Sequence, residues 1–196
     1  MVNNILNRKE KLVITAIEIM DELGIQKLST REIAKRQGVS EATLFKHFKN
    51  KSELLIAVLE QYSRFDDDII QSIKFRKLSP KEAMIYIVAA HAEYYENYPA
   101  ITAIMQSIDV LRYEPDLTEK VNSILSNQTD AIKQLIKEAQ DAGEISPDAD
   151  AENLTILIIG LCKEICLKWR LAGHEFSLCE KTLSTLKMVL DAFGQV

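Results

Sequence analysis

Apolar side chains recur every three to four positions along most of this chain, and sustained alternation is absent, so the pattern predicts helices and no sheet. The first helix carries Val13, Ala16, Ile17, Met20 and Leu23 on one stripe. Asn7 and Glu10 stand in capping-box spacing before it, and Gly24 stops it. From Leu28 to Lys51 the elements shorten. Thr30 is expected to cap a two-turn helix from Arg31 to Gln37 with Ile33 and Ala34 facing inward. Gly38 ends that helix, Val39 plugs the corner, and Ser40 caps a second helix from Glu41 to His47. Leu44 and Phe48, four apart, form its apolar face and leave Glu41, Ala42, Thr43, Lys46 and His47 on exposed or flanking faces.

The periods then lengthen. Asn50 and Glu53 open a fourth helix through Leu54, Leu55, Val58, Tyr62, Phe65 and Ile69 to about Lys74, with nothing resembling a linker inside it. Ser79-Pro80-Lys81-Glu82 is a strong start signal for a fifth, which ends at Tyr98-Pro99. A short sixth from Ala100 to Leu111 stops before Pro115. A seventh, Leu117 to Asp141, is closed by Gly143. Asp150 caps an eighth whose run from Leu154 to Cys162 is apolar around almost its whole circumference, and Ser177 with Glu180 opens the last. The expected fold is all-α, about nine helices, with a three-helix head over 1–51 and a helical body over 52–196.

The stretch from Leu28 to Lys51 fits the helix-turn-helix geometry. A major groove about 12 Å wide admits one helix, whose first residues reach base edges while the preceding helix crosses the backbone. Charge agrees. Residues 1–51 hold ten Lys+Arg against six Asp+Glu, a net +4, whereas the remainder holds fourteen against twenty-three, a net −9. A basic head on an acidic body leaves one end for a polyanion and the other for a different task.

The run REIAKRQGVSEATLFKHFKNKSELL resembles the N-terminal signature of the TetR/AcrR transcriptional regulators, down to Thr43-Leu44-Phe45, His47-Phe48 and Lys51 followed by Leu54-Leu55. The first fifty or so residues carry a specific match, and the rest agrees in helix count and order. The resemblance implies that Thr30, Thr43, His47 and Lys51 hold phosphates, and that Arg31, Ser40, Ala42, Thr43 and Lys46 lie near phosphates or bases. The family usually has tyrosine where this chain has Phe45. That phosphate-binding hydroxyl is absent, and the ring is left to press on the sugar backbone or a thymine methyl.

The body offers two kinds of candidate. Tyr62, Phe65 and Ile69 on the fourth helix; Met84, Ile87, His91, Tyr94 and Tyr95 on the fifth; Met105 and Ile108 on the sixth; Leu125, Gln128 and Ile132 on the seventh; and Cys162 on the eighth are either ordinary core or the lining of a cavity. Wet-ended aromatics and flexible Met suit an amphipathic guest, so both readings stand. A helix apolar on all sides must be covered on all sides, most simply by a second copy. Leu157, Leu161, Ile165 and Lys168 with Leu183, Leu186 and Leu190 are therefore expected at a two-fold four-helix interface.

Catalytic and metal chemistry find little footing. Cys162 and Cys166 share a helix face, but no finger spacing accompanies them, and they read as buried thiols. His174-Glu175 lacks a second histidine, no phosphate loop or nucleophile elbow occurs, and Asp66-Asp67-Asp68 reads as a solvated face or weak ion spot. No apolar run approaches the ~20 residues needed to span a bilayer. Three cysteines without paired spacing, and no leader, suggest a reducing cytoplasm. The expectation is a non-enzymatic, cytoplasmic, homodimeric repressor without cofactor. It binds a palindromic double-stranded DNA operator and is released by a small amphipathic or hydrophobic effector. The alternative is a regulator of the same fold governed by a protein partner or by no ligand.

Overall fold

The computed structural model describes residues 7–194, apart from the side chains of Asp67 and Lys74. Within them the chain forms nine α-helices and no strand. They are α1 (Arg8–Leu23), α2 (Thr30–Arg36), α3 (Glu41–Phe45), α4 (Lys51–Arg76), α5 (Pro80–Asn97), α6 (Thr102–Leu111), α7 (Thr118–Asp141), α8 (Ala151–Leu171) and α9 (Leu178–Ala192). Short 3-10 turns at Ile25–Lys27 and Pro99–Ile101 lead into α2 and α6. Contacts group the chain into two compact units. One holds residues up to Phe65 together with Pro99–Ser123, and the other holds Asp66–Tyr98 with residues from Ile124 onward. This grouping is not a single cut at 51/52, because α6 and the turn before it pack on α1.

In the first unit, α1 packs on α2 and α6, and α2 packs on α3. Leu12, Ile17, Ile33, Leu44, Phe48 and Leu54 are buried to 1 % exposure or less. Each such side chain contributes about 1.5–3 kcal/mol, which lets short helices persist that would not form alone. The side chains at the caps match several sequence expectations. Asn7 and Glu10 make the full capping box of α1, and Ser40 Oγ accepts from Thr43 N at 3.2 Å. Gly38 turns the chain at φ +62, where Val39 N reaches back to Ala34 O at 2.9 Å. An added Cβ there would meet open space, so it is the left-handed backbone that calls for glycine. Gln37 Nε2 donates to Thr15 Oγ1 at 2.6 Å and ties the end of α2 to α1.

In the second unit, α9 packs on α5 and α8. Met84, Val88, Ile132, Ile136, Leu154, Ile158, Leu186 and Leu190 form a continuous apolar cluster. The predicted capping box at Ser79 and Glu82, with Pro80 in the first turn, starts α5. Asp150 accepts from Asn153 N at 2.8 Å to start α8. The start of α9 gains help from elsewhere in the chain. Glu96 Oε1, on α5, accepts from Ser177 Oγ at 2.9 Å and from Cys179 N at 3.1 Å.

Candidate nucleic-acid interface

The helix-turn-helix is built from α2, the Gly38 turn and α3. Two details differ from the sequence expectation. Ser29, not Thr30, is the N-cap of α2, with its Oγ accepting from Glu32 N at 3.2 Å. Thr30 is the first helical residue, and its hydroxyl donates to Glu41 Oε2 at 3.0 Å. Ser29 holds the extended backbone a cap needs, which Thr30 inside the first turn does not. The second helix is also shorter than expected. It ends at Phe45, where the chain tightens so that His47 N reaches Leu44 O at 2.9 Å, and Phe48 N shares the same acceptor at 3.1 Å. His47 therefore lies beyond α3, in the turn that follows.

The outward face carries the expected polar set. Arg31, Ser40, Ala42, Phe45, Lys46 and Lys51 are exposed, and Thr30, Thr43 and His47 are half-buried. Leu44 between them is fully buried and anchors the face from behind. Lys51 is the first residue of α4, whose start is closed by Asn50 Oδ1 accepting from Glu53 N at 2.8 Å. Arg36 lies close by in sequence but is occupied elsewhere. Glu22 at 2.7 Å and Glu32 at 3.2 Å hold its guanidinium and raise its pKa, with the Glu22 hydrogen bond the largest cause. Lys9 lies over the ring of Phe48, 5.2 Å from its centroid. Sequence reasoning left Glu41 among flanking positions. Its spacing, three ahead of Leu44 at the N-terminus of α3, signals a group near Thr30 only once the turn is folded.

The effector-candidate residues divide between the units. Tyr62, Phe65, Met105 and Ile108 belong to the first, with Tyr62 buried and the others half-buried. In the second, Met84 and Ile132 lie inside the apolar cluster, and Ile87 and Cys162 pack against it. Ile69 is buried; His91, Tyr94, Tyr95, Leu125 and Gln128 are half-buried. The tyrosine rings of Tyr94 and Tyr95 lie 6.1 Å apart, tilted, as do those of His91 and Tyr95. Asp66 is not the solvated residue expected. His91 Nε2 lies 2.7 Å from its Oδ1, and Gln128 Nε2 donates to its Oδ2 at 3.1 Å. A signal existed: Asp66 sits four after Tyr62 and three before Ile69, on the inward stripe of α4. Asp68 is exposed, and the Asp67 side chain lies outside the described residues.

Of the residues expected at a subunit interface, Leu186 and Leu190 sit in the second unit's own core at 0 % and 1 % exposure, and Ile165 is buried as well. Leu186 and Leu190 offer a second copy no surface and serve the subunit's own core, whereas Ile165 keeps 8 % exposure. Leu157 and Lys168 are exposed, and Leu161 and Leu183 are half-buried. Burial pushes the Cys162 thiol up to about 12 and the Cys166 thiol up to about 11, so both remain protonated at neutral pH. Among the described residues no three His, Cys, Asp or Glu side chains converge as a metal site, and no helix is long and apolar enough to cross a membrane.

Among the described residues, a capped helix-turn-helix with a polar outer face stands at the start of nine helices, the arrangement of a DNA-binding module on a helical body. Residues 12–58 match the family model for bacterial regulatory proteins of the tetR family, and residues 58–192 match that for the YsiA-like protein C-terminal region. The chain belongs to the TetR family and is a helix-turn-helix transcription regulator. It is 24% identical over 182 residues to the fatty acid metabolism regulator protein of Bacillus subtilis (strain 168), covering 92% of this chain and 93% of that one. The tetracycline repressor protein class C of Escherichia coli is 33% identical over 87 residues, 40% of each chain. The crystal structure of FadR from Bacillus subtilis in complex with stearoyl-CoA superposes with a TM-score of 0.81 at 23% identity, covering 94% of this chain and 98% of that one. KstR2 of Mycobacterium tuberculosis, a ketosteroid transcriptional regulator, gives 0.78 at 19% identity, with 100% and 98% covered. These relatives are regulators, not enzymes.

Proposed function

We propose that this chain is a homodimeric repressor that grips a palindromic operator through α2 and α3 and is released by an amphipathic effector with a long acyl chain. The DNA half rests on one observation, the outward presentation of Ser40, Ala42, Thr43 and Lys46 by a helix whose Leu44 is fully buried. Thr30, Arg31, His47 and Lys51 supply the flanking phosphate contacts, and Phe45 packs against sugar or a thymine methyl.

The effector class is supported by the relative whose structure holds stearoyl-CoA and by the Met, Tyr and aliphatic composition of α4 to α8. The dimer is supported by apolar surface on two helices that pack together. On α8, Ile156 and Leu157 are 60% and 45% exposed, and on α9 Met188 is 72% exposed. Two-fold symmetry sets two recognition helices about one DNA turn apart, roughly 34 Å. Release follows if the effector favours a state in which that spacing is wrong. Reversing a 99:1 population takes about 5.5 kcal/mol of differential affinity, so a weakly held bystander does not switch it.

The test is a fluorescence-anisotropy titration on an operator recovered by selection from a random duplex pool. Tight binding at a stoichiometry of two chains per duplex, lost on adding stearoyl-CoA at micromolar concentration, is the expected result. Tight binding that no acyl-CoA relieves, by a chain whose core admits no probe, would transfer control to a protein partner or to no signal.

A further inference from the structure

Recognition in the major groove matches donors to acceptors, and the outward face of α2 and α3 is rich in donors. Arg31, Lys35 and Lys46 are exposed and only donate, and Ala42 offers neither kind of group. Ser40 and Thr43 share one proton between their hydroxyls at 3.1 Å. Carboxylates only accept. Between Leu28 and Glu53 there are three, and two of them are committed. Glu32 lies 3.2 Å from Arg36 Nε, and Glu53 accepts from Lys49 N at 2.6 Å. The third is Glu41, the first residue of α3. It is half-buried, and among the described residues its side chain has one polar partner, the Thr30 hydroxyl, which donates to Oε2 at 3.0 Å. No described cation pairs with it.

An unpaired carboxylate on a surface that meets a polyanion lowers affinity for every duplex. In the docking geometry of this motif, however, the first residues of the second helix reach base edges, so the same group stands where it can accept. Two bases present a donor in the major groove, cytosine through N4 and adenine through N6. Adenine sets its N7 acceptor beside N6, which repels a carboxylate, whereas only a C–H lies beside cytosine N4. The Thr30 hydroxyl has a single proton to give. Phosphate oxygens only accept, so that proton cannot serve Glu41 and a phosphate at once.

We infer that Glu41 reads a cytosine in each half-site of the operator, and that Thr30 holds its carboxylate until the cytosine amine replaces it. The Thr30 proton then turns to a backbone phosphate. One residue thus penalises all DNA and is compensated on a single sequence, and the phosphate contact of Thr30 becomes conditional on that sequence. This rests on the two-fold operator reading above.

The experiment is selection from a random duplex pool with the full-length wild type, Glu41→Gln and Glu41→Ala, followed by anisotropy on the selected operator and on random duplex. The three motifs should differ at one position of each half-site. The wild type should select cytosine there, Glu41→Gln should shift towards adenine, which its amide matches, and Glu41→Ala should lose the preference. Replacing that C·G pair in both halves should weaken the wild type about tenfold or more, and Glu41→Ala less than about twofold. On random duplex both variants should bind about threefold tighter or more, the size of one unit charge met at ~7 Å through water. Thr30→Val should cost more on the cytosine-bearing operator than on its substituted form. Identical motifs from all three proteins, or Glu41 variants that lose affinity for every duplex alike, would overturn the inference. A wild type that selects no motif would instead refute the operator reading itself.

Discussion

Lys51→Ala isolates the phosphate-binding role most cleanly. Lys51 is exposed at the first position of α4, and no packed partner depends on it, so thermal stability should stay within about 0.5 kcal/mol of the wild type. Each lost phosphate contact makes the slope of log K against log salt less negative by about 0.9, and a dimer loses two, a change of about 1.8. At 0.15 M salt, roughly 0.8 of a decade below 1 M, that change corresponds to about thirtyfold weaker binding. The assay is anisotropy on selected operator and on random duplex across about 50–300 mM KCl, where log K falls linearly with log salt. Both DNAs should weaken alike. Loss confined to the operator, with the slope unchanged, would refute the phosphate assignment and make Lys51 a reader of sequence.

Other expectations follow from burial and hydrogen bonding. Leu157→Glu places a charge on the exposed α8 face and should give a folded monomer in sedimentation, whereas Leu186→Ala, at a fully buried site, should cost about 2–5 kcal/mol in chemical denaturation. Equal effects of the two would undo the distinction between surface and core. Glu96→Ala strips Ser177 Oγ and Cys179 N of their acceptor and should lower stability by about 1–3 kcal/mol; an unchanged denaturation midpoint would show that water replaces the carboxylate. Cys162 and Cys166, with thiols raised to about 12 and 11, should resist iodoacetamide at pH 8 about a hundredfold or more relative to an exposed cysteine. The sign of the linked stability is fixed too. The folded state holds these protons more tightly than the unfolded chain, so stability is full below about pH 9 and falls as pH rises towards 11 and 12. A denaturation midpoint that stays flat over that window contradicts the burial of the thiols.

Local chemistry was legible because it is written in neighbouring residues. Asn7 with Glu10, Ser40, Ser79 with Glu82, and Asp150 cap the helices they were expected to cap. The errors are as informative. Thr30 was expected to cap α2, but Ser29 takes the extended backbone of the cap, a choice that depends on how α2 leaves the preceding turn. The inward face of Leu44 and Phe48 was read correctly, but the second helix was extended to His47 because i, i+4 spacing does not show where the helical turns stop. Leu186 and Leu190 looked available to a second copy because a stripe of leucines does not say which neighbour will cover it. In the folded unit, the cluster with Met84 and Ile132 covers them.

What the amino-acid order determined alone is the set of helices, their start signals, and the polar outer face of a helix-turn-helix, since each depends on interactions within about a turn of chain. What only the folded chain decided is which distant groups meet: Asp66 with His91 and Gln128, Glu96 with the start of α9, Thr30 with Glu41. Those pairings are separated by 11 to 83 residues, and no local pattern records them. They arise because packing brings whole helices together and each buried polar group must then find a partner from whatever element lies opposite.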